Sequence, residues 1–162
     1  MKGLSLIKSP NGNAAIDSVL ITVLGSQRDA QGEENNIKLV TPGRRYTKNG
    51  VFYITYQETE ISGMDGATTL LKIYKDHVIL VRMGAVEQRQ EFRTGERSFS
   101  SYSTPYGVLD MSVRTTRLEV SRTQGEESVT GINIEYELEI DGQWQSANTL
   151  KVTVQGDRNN GH

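Results

Sequence analysis

Two charges stand inside apolar, alternating runs: Glu58 at the end of VFYITYQE and Arg82 within VILVRMG. Glu58 shares the parity of Phe52, Ile54 and Tyr56, and Arg82 shares that of Val78 and Leu80. If those are the inward faces, both charges enter the interior, where an unpaired charge is costly and must find a partner. Paired with each other, they would serve as the fixed polar handle of a binding pocket, orienting an anionic or polar ligand. The alternative puts both at strand ends in reach of water. The opposite parity of the second run (Ile79, Val81, Met83) is equally apolar, so facing stays open. As an acid or base Glu58 would act alone, with no second carboxylate in view.

The stretch SYSTPYG (101–107) concentrates two tyrosines, a Thr-Pro pair and a glycine. The residue before a proline is steered to extended geometry, and Pro105 and Gly107 suit a turn. Thr104 therefore ends one strand, and Tyr102 and Tyr106 can rim an opening with an apolar ring and a wet hydroxyl. Packing over a barrel end is the competing role for both tyrosines. Gln88 and Gln90 share a parity with Val86 and Phe92 and could present amides to an interior. An exposed or edge strand is the reading favoured for them.

Much chemistry is excluded. Cysteine is absent, and the two histidines are His77, in a tight link, and His162, at the end. That leaves no ligand set for zinc, no activated-serine elbow and no catalytic residue to assign; no cofactor is expected. No phosphate-binding loop or dinucleotide fingerprint appears. Residues 123–150 hold six acids and no base, which disfavours a phosphate backbone on that side. Glu135, Glu137 and Glu139 share an outward face, with Arg114, Arg117 and Arg122 as expected cross-strand partners. Trp144 is expected in the core or as a barrel-end plug.

With 162 residues the chain has the length of one domain. The net charge of −2 supplies no pull toward nucleic acid or membrane, and no run approaches a membrane span. The opening MKGLSLIKSPNG has too short an apolar patch for a secretory signal. A cysteine-free chain fits a reducing compartment, so the expected location is cytoplasmic.

Period-two alternation carries these residues, and helical stripes are missing. Strands are expected near 19–24, 36–47, 51–60, 67–74, 78–84, 85–93, 97–102, 107–121, 129–140 and 143–154, with SQRDAQGEEN (26–35) as a loop. Asn49-Gly50 and Asp141-Gly142 sit between strand runs where a type I′ turn needs positive φ. Leu109, Met111 and Val113 lie on one parity and Leu118 and Val120 on the other, so a bulge is expected near Thr115–Arg117. Pro42 predicts a bulge or an edge position. A meander of about ten short strands must hide its edges, and closing into a barrel does so.

The motif order is that of a known family: Tyr53, Tyr56 and Glu58, then VRMG (81–84), YSTPYG (102–107), MSVRTT (111–116) and IEYELEI (134–140). Over roughly 16–154 the chain resembles the YwiB-like proteins, uncharacterised bacterial β-barrels. The resemblance implies an all-β fold, a single antiparallel calycin-like (lipocalin-like) barrel, with recurring positions at Glu58, Arg82, Gly84, Tyr102, Thr104, Pro105 and Gly107. Residues 1–15 would be an extension outside it and 155–162 a flexible tail. The expected function is a non-enzymatic module binding a small, partly apolar or anionic ligand. Glu58, Arg82, Tyr56, Tyr102, Thr104 and Tyr106 are its candidate contacts. The competing reading is a filled barrel that pairs as a homodimer, and the third is an enzyme using Glu58.

Overall fold

The computed structural model describes residues 16–125 and 128–156, and these form one sheet of ten antiparallel strands. They are β1 (Asp17–Asp29), β2 (Glu34–Lys48), β3 (Val51–Gln57), β4 (Ala67–Ile73), β5 (Val78–Gly84), β6 (Gln88–Phe92), β7 (Arg97–Thr104), β8 (Gly107–Arg122), β9 (Val129–Ile140) and β10 (Gln143–Gly156). The expected extension at 1–15 and the tail beyond Gly156 lie outside the described residues. β10 itself runs through 155 and 156, where the tail was expected to begin.

Each strand pairs with the next in sequence except at one place, between β6 and β7. β1 pairs along β10, from Val19–Gly156 to Asp29–Ser146, so the first strand meets the last. The sheet ends instead at β6 and β7. There a single bridge, with Glu87 and Ser103 each donating its N–H to the other's carbonyl at 2.9 Å, brings the edges together. The result is a nearly closed barrel with one seam.

The turn chemistry sets the local registers. Asn49 and Gly50 have φ of 52° and 81°, and Asp141 and Gly142 have 52° and 82°. Positive φ at both central residues is what the right-handed strand twist demands of a two-residue hairpin. β8 shifts register between Thr115 and Arg117, the expected bulge, so Val113 and Val120 both reach the interior from opposite parities. At Pro42 the β1–β2 ladder continues unbroken, without a bulge. Pairing of β2 with β3 starts only at Gly43, so the proline stands where β2 has one neighbour. The polar segment 26–35 is not the expected loop. β1 and β2 extend through it as a long hairpin paired as far as Arg28–Glu34, because exposed strands need no apolar face when their ladder is complete.

The interior is filled at one end and hollow at the other. Val19, Ile21, Ile54, Ile73, Val78, Val129, Ile132, Ile134, Val152 and Val154 pack into one cluster. Arg45 crosses that end, with Nη1 donating to the Val129 carbonyl at 3.3 Å and Nη2 to Asp17 at 3.3 Å. Trp144 is not the expected core residue or plug. It is 41% exposed and donates from Nε1 to Glu137 on the outer face. Of the expected arginine–glutamate pairs, Arg117 lies 3.9 Å from Glu135. Glu139 takes Arg97 at 3.0 Å instead, and Arg122 covers the Phe52 ring. Pairs this exposed contribute little to stability.

Candidate functional site

Antiparallel register builds one polar row across the inner wall. Tyr56 on β3 stands opposite Thr69 on β4, Thr69 opposite Arg82 on β5, and Arg82 opposite Gln88 on β6. The Asn49-Gly50 hairpin starts this register and the link at Asp76-His77 continues it. Directly opposed side chains in neighbouring strands lie close enough to interact, so four polar residues scattered over 33 positions of sequence become a continuous band.

Glu58 follows the end of β3, one inward position nearer the open end, and is 5% exposed. Its backbone N–H is held by the Ala67 carbonyl at 2.8 Å. Its Oε2 accepts a hydrogen bond from Thr69 Oγ1 at 2.5 Å. Arg82 Nε lies 3.9 Å from the same oxygen, too far for a hydrogen bond. Arg82 Nη1 instead donates to Gln88 Oε1 at 3.0 Å. Nε is buried with no hydrogen-bond partner, and a buried unsatisfied donor costs about 1–3 kcal/mol. The Tyr56 phenol is held well above its ordinary pKa, first by burial and then by the Glu58 carboxylate, with Arg82 opposing. Burial likewise raises the Tyr136 phenol, again with Arg82 opposing.

Gln88 and Gln90 lie on an edge strand, one of the two positions expected of them, but they are not exposed. β6 is an edge of the sheet, but its glutamines face inward and stitch the seam. Gln88 Nε2 donates to Ser100 Oγ at 3.2 Å. Ser100 Oγ donates to Gln90 Oε1 at 2.7 Å, and Gln90 Nε2 reaches the carbonyls of Glu91 and Ser98. Side-chain amides thus replace ladder hydrogen bonds where β6 and β7 diverge, and Gln90 is only 2% exposed.

Above this band the barrel holds a cavity of about 600 Å³. Leu80, Phe92, Val113, Tyr136, Leu138 and Leu150 give it apolar walls, Arg82, Gln88 and Gln90 line one side with polar groups, and Asn148 and Thr149 of β10 add others. Its rim is the stem of the β1–β2 hairpin and the 3-10 turn Glu60–Ser62, which continues to Met64. That turn is capped by Thr59, whose Oγ1 accepts from the Ile61 N–H, and ends at Gly63 with φ of 78°.

The sequence candidates separate on this frame. Arg82 and Tyr102 line the cavity, and Glu58 lies behind Arg82. Tyr56 is buried within the polar row and does not line it. Thr104 folds the β7–β8 turn, donating to the Gly107 carbonyl and accepting from the Tyr106 N–H. Tyr106 is 97% exposed on that turn, away from the cavity. Pro105 and Gly107 shape the same turn. Gly84 has φ of 106°, and a Cβ there would meet the Gly66 carbonyl oxygen at 2.6 Å. Thr69, Ser100 and the 60–64 rim were missed. Thr69 could have been found by counting the register outward from Asn49-Gly50; the other two carry no local signal.

Among the described residues no three histidines or acids group as metal ligands, and no helix is long and apolar enough to cross a membrane. His77 is engaged outside the barrel, with Nδ1 2.7 Å from Asp76 Oδ1 and its ring stacked on Tyr74. With Arg93, it holds the Asp76 carboxyl below its usual range.

A family model described as a domain of unknown function, DUF1934, matches residues 21–152. The chain is 25% identical over 125 residues to the uncharacterized beta-barrel protein YwiB of Bacillus subtilis (strain 168), spanning 77% of this chain and 84% of that one. It is also similar to the crystal structure of ywiB protein from Bacillus subtilis, with a TM-score of 0.73 at 20% identity, over 88% of this chain and 94% of the other.

Proposed function

The chain belongs to the DUF1934 family of YwiB-like β-barrels, and we propose that it is a non-enzymatic module binding one small, partly apolar ligand in the open half of a calycin-like barrel. The observation that carries this reading is the cavity of about 600 Å³, with apolar walls and a few fixed polar groups, Arg82, Gln88 and Gln90 among them. Small-molecule sites typically have about 300–1,000 Å³ and a few fixed polar groups. Arg82 and Tyr102 would touch the ligand, and Glu58 would hold Arg82 in place. Catalysis is the weaker reading. Glu58 is turned from the cavity and tied to Thr69, whereas an acid or base needs reach to the reacting proton. The absence of cysteine suits residence in a bacterial cytoplasm.

Native mass spectrometry of the protein purified from its own host tests the proposal. The expected result is a protein mass plus one retained small molecule. A chain or dimer that carries no added mass and takes up nothing from a host metabolite extract would overturn it in favour of an interaction barrel.

A further inference from the structure

We infer that the ligand's polar end is an organic anion, a carboxylate or phosphate borne on an apolar body, seated on the free Nη2 of Arg82. This rests on the lumen-binding reading above. A guanidinium presents its donors as planar two-point edges that match the oxygens of a carboxylate or phosphate. Arg82's one hydrogen bond among the described residues is from Nη1 to Gln88. Its Nε is buried, out of a ligand's reach, and faces Glu58 Oε2 at 3.9 Å. Nη2 makes no hydrogen bond among the described residues and is not buried, which leaves it open to the cavity that Arg82 lines. The nearby acid does not take Nη2: Glu58 Oε2 accepts from Thr69, and its 3.9 Å approach to the guanidinium is at Nε.

The charge facing the lumen points the same way. Of the described residues lining the cavity, only Arg82 and Glu60 carry a formal charge. Glu60 belongs to the rim turn and is exposed to water. Glu58 does not line the cavity, so a ligand inside meets the cation and not its counter-ion. Among the described residues a cationic ligand would find no lining carboxylate except Glu60 on the rim, and a neutral acceptor would make a weaker bond to Nη2 than a charged one. Gln88, itself held by Ser100, fixes the guanidinium through Nη1, so the seat is organised before a ligand arrives. The low dielectric among Leu80, Phe92 and Val113 strengthens a charged hydrogen bond made there.

The test uses two fluorescent probes with the same ring body, titrated into the full chain: 8-anilinonaphthalene-1-sulfonate, which is anionic, and N-phenyl-1-naphthylamine, which is neutral. The sulfonate should bind one to one and at least about 10-fold more tightly than the neutral probe, as a charge-assisted contact in an apolar site predicts. Arg82→Lys keeps the charge but loses the planar edge, and should weaken the sulfonate while leaving the neutral probe unchanged. Because removing Arg82 alone strands Glu58, the Arg82→Met/Glu58→Gln double variant is the second probe of the seat. It should equalise the two affinities. Leu138→Trp fills the cavity and should exclude both. Equal affinities in the native protein, or a sulfonate affinity untouched by both Arg82 variants, would overturn the anionic head and leave lumen binding standing. Failure of both probes to bind, or binding that survives Leu138→Trp, would overturn lumen binding itself.

Discussion

Glu58 and Arg82 are close enough to feel each other and too far apart to hydrogen bond, with side chains only 3% and 17% exposed. Each nevertheless has a polar anchor, Thr69 for the acid and Gln88 for the base. Removing one member of a buried pair strands the other charge, which typically costs about 3–5 kcal/mol. Arg82→Met should therefore lower stability to urea by roughly 3 kcal/mol, and adding Glu58→Gln should recover at least half of that. Simple additivity of the two losses would show that the charges do not couple. Facing was open from parity because β5 is apolar on both sides: Ile79 is 5% exposed although it lies opposite Arg82 in phase. For a related reason the edge position of Gln88 and Gln90 was legible and their inward facing was not. An edge strand usually faces water, but at a barrel seam the edge is also part of the inner wall.

At the level of elements, the rim turn between β3 and β4 is tied at its base. Glu58 N–H bonds the Ala67 carbonyl, and Ala85 N–H bonds the Gly66 carbonyl at 3.2 Å. Gly84 permits the second contact because nothing larger fits against Gly66. Gly84→Ala should cost about 2–3 kcal/mol, from positive φ together with a backbone collision. Gly50→Ala, with a similar φ but nothing within 4 Å, should cost only about 1 kcal/mol. Urea unfolding of the two variants measures the difference, and equal losses would mean that the close approach at Gly66 contributes nothing. The bulge at Thr115–Arg117 was readable as a phase slip because a bulge leaves its mark in the alternation itself. The length of the β1–β2 hairpin was not, since a polar strand and a polar loop have the same composition.

Across the whole molecule, the filled and hollow ends predict unequal sensitivity. Ile134 is fully buried in the packed end, and Ile134→Ala should cost about 2–5 kcal/mol. Leu138, four residues on and on the same inner face of β9, borders existing empty space. Leu138→Ala should cost less than about 1.5 kcal/mol, because little new cavity is made. Comparable losses in thermal or urea unfolding would mean that the upper half is packed in solution. The sequence alone determined the ten strands, the two Asn/Asp-Gly hairpins and the β8 bulge. Each of these depends on alternation or on φ at neighbouring residues, which are local. Only the tertiary structure decided which face looks inward, that the seam falls between β6 and β7, and that half the lumen stays open. Those outcomes follow from closing β1 onto β10 across more than a hundred residues, where side-chain volumes from every strand must share one fixed circumference.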